Sequence, residues 1–187
     1  MGREARVIRV RALTAGAGYR QYDCCALVGR TEYQAGIVIA NAVFRVPNRT
    51  NYRIVPRFTF TDPELAHIGM TEAQARECGI EPDVPRFPFR DVDRAITEGE
   101  CAGLVKLVAY RDRLLGASVL GPRGGELLHE LALAMTTGAR LGTISVTIHA
   151  YPTLAQVHRR AVNTWLGRRL FSRGTRRLVR TIHHLLP

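Results

Sequence analysis

The stretch Ile148-His149-Ala150-Tyr151-Pro152-Thr153-Leu154-Ala155-Gln156-Val157-His158-Arg159-Arg160-Ala161-Val162-Asn163-Thr164-Trp165-Leu166 decides how the rest of the chain is read. Pro152 breaks whatever precedes it, and its fixed φ suits the start of a helix. Behind it Leu154, Val157, Ala161, Val162, Trp165 and Leu166 recur at helical spacing, so one face is apolar and the arginines take the other. A buried helix is therefore predicted to begin abruptly after a short polar turn that carries His149, Tyr151 and Gln156. Ring and amide groups held at a helix N-terminus often meet a ligand or a partner's active site.

Upstream, Thr61-Asp62-Pro63-Glu64-Leu65-Ala66-His67-Ile68-Gly69-Met70-Thr71-Glu72-Ala73-Gln74-Ala75 is as distinctive as the opening stretch. Together the two resemble the pyridine nucleotide-disulfide oxidoreductases, the flavoenzymes that include dihydrolipoamide dehydrogenase, glutathione reductase and mercuric reductase. The later stretch resembles their His-x-His-Pro-Thr-x-x-Glu segment, which lies in a C-terminal dimerisation domain. In that family the His before Pro is the acid/base acting on the partner subunit's redox cysteines, and the Glu orients it. Here Tyr151 stands at that His and Gln156 at that Glu, so both members of the dyad are substituted. A tyrosine before the proline is closer to the mercuric-reductase-like branch.

The resemblance runs from Glu32 to about Phe171 and implies an α+β fold, an antiparallel sheet backed by helices. It divides the chain into a degenerate remnant of the FAD domain over 1–50, a dimerisation domain over 51–172 and a basic amphipathic helix over 173–187. The Gly-Asp pair that holds the ribityl part of FAD in the family would fall near Thr14 and Ala15, and neither residue is there. The chain has no pair of cysteines separated by four residues, and Gly16 and Gly18 lack the third glycine of a dinucleotide fingerprint. No cofactor is expected in this chain alone; FAD and NAD(P) belong to the resembling full-length enzymes.

The remaining segments are read from their own patterns. Ile37 to Phe44 is predicted as a buried helix ending near Pro47, followed by a polar linker to Val55. A strand through Phe58 and Phe60 follows Pro56, and Thr71 caps a helix that Gly79 ends. Phe87 and Phe89 suggest a strand around Pro88, which belongs at an edge. Leu104 to Tyr110 and Leu114 to Leu120 form a hairpin, Gly121 to Gly125 a turn and Glu126 to Leu141 a helix. Gly142 to Thr147 is a link into the opening stretch, and Leu178 to Leu186 carries the stripe of a terminal helix.

Composition sets the outer bounds. The 187 residues carry a formal charge of +11, Lys106 is the only lysine, and no Asp or Glu follows Glu130. Such a basic end suits nucleic acid, an anionic membrane or an acidic partner, or is simply a solvated helix face. No apolar run approaches the ~20 residues of a membrane span, and no secretory signal opens the chain. A cytoplasmic location is expected, with Cys24, Cys25, Cys78 and Cys101 reduced. The vicinal Cys24 and Cys25 are also a candidate thiol metal site, although no second pair completes one.

The first functional reading is an isolated or truncated dimerisation domain, self-associating as a homodimer and inactive alone. The interface is expected at Tyr151, Pro152 and Trp165. The alternatives are a subunit of a split flavoenzyme, with FAD and redox cysteines supplied by a flavin-containing partner chain, and an arginine-rich module for nucleic acid or membrane surfaces. Tyr151 reads either as a hydrogen-bond donor or as a packed interface aromatic. His149 reads as a satisfied structural histidine.

Overall fold

Five antiparallel strands in the order β1-β2-β5-β4-β3 form one sheet. A computed structural model describes residues 24–171, 175 and 177, with side chains from 29 onward. The expected loop around Gly16, the positions of Thr14 and Ala15, and the stripe of Leu178 to Leu186 lie outside the described residues. The α+β architecture is as expected.

α1 spans Cys24–Ala42, so the helix begins well before the segment that periodicity marked. Its partner across an irregular stretch is β1, Arg57–Thr59, which pairs with β2, Glu64–Gly69. β2 lies within the distinctive stretch Thr61 to Ala75, where the sequence patterns give no strand. Ala66 and Ile68 point inward and are fully buried, while Leu65 and His67 alternate to the other face. Thr71 then caps α2, Glu72–Glu77, with a reciprocal capping box: its hydroxyl accepts from the Gln74 amide at 3.2 Å, and Gln74 Oε1 accepts from the Thr71 amide at 2.9 Å.

β3, Arg86–Pro88, lies at the sheet edge, where a missing amide hydrogen removes nothing from the ladder. Phe89 does not continue it. It enters a 3-10 turn, Phe89–Asp91, and fills the core, and α3, Asp93–Glu98, follows as an element that periodicity missed. β4, Leu104–Tyr110, and β5, Arg113–Gly121, form the hairpin, its turn made by Arg111 and Asp112 at φ 48 and 68°. Two successive positive φ values match the twist of the flanking strands.

α4, Gly124–Thr137, starts two residues and ends four residues earlier than expected, because Gly138 adopts φ 64° and closes the helix. The supposed link after it contains α5, Leu141–Val146, whose Leu141 and Ile144 are buried. α6, Gln156–Leu170, completes the layer. Pro152 stands four residues before its first turn rather than in it, in the segment Tyr151–Pro152–Thr153 that links α5 to α6. α4 packs on β2 and β5, and α6 on β3 and β4, so both helices cover one face of the sheet. Leu128, Leu131, Val157, Ala161 and Val162 meet Val105, Leu107, Ala117 and Val119 there.

Candidate functional site

The turn between α5 and α6 stands out because its exposed side chains are apolar and its buried ones polar. Val146, Ile148 and Tyr151 are 77%, 93% and 72% exposed. Leaving that much apolar surface in water is unfavourable unless something covers it. Beneath them, His149 turns its side chain inward. Its Nε2 lies 3.0 Å from Glu130 Oε1 on α4, and its Nδ1 lies 3.1 Å from the Thr147 carbonyl. Both ring nitrogens are thus engaged, in agreement with a structural histidine. Thr153 Oγ1 donates to the Ala150 carbonyl at 2.7 Å, closing the loop around Tyr151 and Pro152.

Among the described residues no hydrogen bond joins Tyr151 to Gln156. The Gln156 Oε1 is buried and has no partner, while the tyrosine projects to solvent. The two positions that the resemblance singled out therefore form no hydrogen-bonded dyad within one chain. Trp165 needs a correction. Expected at an interface, it is only 6% exposed and belongs to its own core, with the Arg169 guanidinium 4.7 Å over its ring. The amphipathic pattern identified the buried face of α6, but that face is covered by the sheet of the same chain.

Two residues of this region were not found from sequence. Glu130 is one; its signal is its place in Gly125-Glu126-Leu127-Leu128-His129-Glu130, inside the helix expected over Glu126 to Leu141. His158 is the other. It is wholly buried, its Nε2 donates to the Leu127 carbonyl at 3.0 Å, and its Nδ1 has no partner. Burial depresses its pKa, the Glu130 carboxylate opposes that more weakly, and the ring is held neutral.

The one glycine pair opening a described helix is Gly124-Gly125 of α4, and the Gly125 amide already donates to Glu64 Oε2 at 2.9 Å. Among the described residues no group of three His, Cys, Asp or Glu side chains is placed to hold a metal ion, and no helix is long and apolar enough to cross a membrane.

Comparison with known proteins places this geometry. Residues 55–162, more than half of the chain, match the family described as pyridine nucleotide-disulphide oxidoreductase, dimerisation domain. The chain is 42% identical over 134 residues to the dihydrolipoyl dehydrogenase of Haloferax volcanii, covering 71% of this chain and 28% of that protein. It is 35% identical over 144 residues to the Geobacillus stearothermophilus enzyme of the same name, covering 76% and 30%. Among solved structures, the HOCl-induced flavoprotein disulfide reductase RclA from Escherichia coli superposes with a TM-score of 0.67 at 25% identity, over 73% of this chain and 32% of that one. The chain thus spans less than a third of the length of each of these relatives.

Proposed function

Since the chain belongs to the pyridine nucleotide-disulphide oxidoreductase dimerisation-domain family, we propose that it acts as a self-associating domain whose Tyr151 turn reaches across a two-fold axis. The observation that carries this reading is the rim of Val146, Ile148 and Tyr151, exposed yet held in place by the His149–Glu130 contact beneath it. A rigid apolar projection is what an isologous interface needs, because each copy offers the same surface to the other. On this reading the 187 residues alone do not transfer hydride, a reading supported by a sequence without a pair of cysteines separated by four residues and without a dinucleotide fingerprint.

The relatives' names point to a dithiol or disulfide as the substrate class of any complete assembly. In such an assembly Tyr151 would be presented to a flavin-bearing chain, where its phenol can donate a hydrogen bond. The tyrosine before Pro152 favours the mercuric-reductase-like branch. A second reading, a subunit completed by a separate flavin-containing chain in the cytoplasm, is favoured by Gln156, whose buried Oε1 lacks a partner. Light scattering on the purified chain tests self-association, with twice the chain mass expected and a monomer counting against it. A visible spectrum taken alone and after mixing with host lysate tests the flavin. A colourless dimer supports the first reading, recovery of a yellow complex the second, and stoichiometric flavin in the chain alone overturns both.

A further inference from the structure

The sheet has a second face on which neither α4 nor α6 packs, with α2 at one end of it, where Val108 is buried and Glu72 reaches Lys106 and Arg86. Strand register builds two continuous rows on this open side. One row is Arg57, His67, Ser118, Lys106 and Arg86, each residue opposite the next on the neighbouring strand across all five strands. The parallel row, two residues along each strand, is Thr59, Leu65, Leu120, Leu104 and Pro88. Leu65 and Leu120 are among the exposed large apolar residues, whereas their chain neighbours Ala66 and Val119 are fully buried on the inner face.

The polar row is electropositive. Glu72 of α2 meets three cations there, Lys106 Nζ at 2.7 Å, Arg76 at 3.0 Å and Arg86 at 3.1 Å, and Arg76 also reaches Glu81 at 3.4 Å. Arg57, at the far edge, makes no ion pair among the described residues and is exposed. Between these ends His67 is neutral, its Nε2 donating to the Gly69 carbonyl at 3.2 Å and its Nδ1 accepting from the Ser118 hydroxyl at 2.9 Å.

We propose that this face docks an acidic amphipathic helix of another protein. Four strand spacings of ~4.8 Å give a platform about 19 Å wide, which a helix rising ~1.5 Å per residue crosses in about 13 residues. Carboxylates along one side of such a helix meet Arg57, Lys106 and Arg86, while its apolar stripe covers Leu65, Leu120 and Leu104. Charge excludes the nearer occupants. Residues 1–22 carry five arginines against Glu4 alone, residues 172–187 carry arginines and no acid, and a second copy would bring the same cationic row. A bare phosphate leaves the leucines uncovered, and a single-stranded nucleic acid finds one ring on the two rows, the His67 imidazole, whose nitrogens are engaged by Ser118 and Gly69.

The test uses the full chain and a fluorescein-labelled fifteen-residue peptide with leucines at helical spacing and glutamates elsewhere, read by anisotropy. A lysine peptide of the same pattern and oligouridylate serve as comparisons. The glutamate peptide is expected to bind, to weaken with salt, and to lose about tenfold or more in affinity with Arg57→Glu and with Leu65→Glu. Leu133→Glu, an exposed position on α4, leaves binding unchanged. Both face residues are exposed, so far-ultraviolet circular dichroism should confirm intact folds. The proposal is overturned if the glutamate peptide fails to bind, if the lysine peptide binds as well, if neither face substitution matters, or if oligouridylate binds more tightly through the same residues. Self-association measured on the same samples is a separate outcome, because the open face does not include the Tyr151 turn.

Discussion

Glu130 and His149 meet at 3.0 Å, one from the middle of α4 and the other from the turn after α5. One residue before the rim, Ser145 adds two ties to α6, its hydroxyl to Asn163 Oδ1 at 2.6 Å and its carbonyl to Arg159 Nε at 3.1 Å. The His149 side chain is 6% exposed and the Glu130 side chain 31%, so the contact is sheltered on one side only. Its job is positional: it holds the inward ring while the flanking Ile148 and Tyr151 face out.

Replacing Glu130 with Ala is expected to lower stability by about 1.5–3 kcal/mol, the range for a hydrogen bond to a charged group. His149→Ala should cost a similar amount, and the double variant clearly less than the sum. Urea unfolding of the four proteins measures the coupling. Additive losses would mean that the contact contributes nothing of its own.

Acid should destabilise the fold through His158. Its folded pKa lies below the ordinary value of 6.5 because burial penalises the charged ring. The unfolded chain therefore binds the proton more readily, and stability rises with pH between the folded pKa and 6.5. It is fully present above about 6.5 and is lost as pH falls below that value. His67 shifts in the same direction, also chiefly by burial. Unfolding midpoints at neutral pH and at about 5.5 should differ less in a His158→Leu variant than in the wild type, with a residual slope from His67. A wild type equally stable at both values would contradict the assignment.

Local chemistry made parts of the fold legible. Thr71 and Gln74 announce their capping box, and Arg111-Asp112 sits between two β-rich runs. β2 was hidden because Ala66 is a small inward residue and Asp62-Pro63 reads as a turn. α5 has only six residues, too few for a helical period to show. The Glu130–His149 contact joins residues nineteen apart through a turn whose path no local pattern specifies. Trp165 marks a further limit: periodicity finds the buried face of a helix, but does not distinguish its own sheet from a second chain.

Two glycines with positive φ separate conformational strain from steric overlap. Gly79 has φ 74° and open space where a Cβ would go, so Gly79→Ala is expected to cost about 1 kcal/mol from backbone conformation alone. Gly103 has φ 98°, and a Cβ there would lie 1.9 Å from the Leu120 carbonyl oxygen. That overlap is with backbone of the central strand and no rotamer relieves it. Gly103→Ala should fall in the exceptional class above about 4 kcal/mol, or fail to fold. Thermal unfolding ranks the two, and a tolerated Gly103→Ala would contradict the packing of β5 against the segment before β4.

Tyr151 and Trp165 are the sharpest contrast in the molecule, two aromatic residues of one motif with opposite surroundings. Trp165 is a core side chain at 6% exposure, and its removal leaves a cavity between α6 and the sheet. Trp165→Ala should cost about 3–5 kcal/mol of chain stability. Tyr151 is 72% exposed, so Tyr151→Ala should change the stability of a dissociated chain by less than about 0.5 kcal/mol. If the turn lies at a two-fold interface, however, each substitution acts twice. Tyr151→Glu combined with Ile148→Glu then places four carboxylates in one apolar contact and should shift the dimer to monomer at micromolar concentration. Urea unfolding at high dilution reads the first effect and light scattering the second. A double variant that remains dimeric, or a Tyr151→Ala chain as unstable as Trp165→Ala, would remove the basis for placing this turn at the interface.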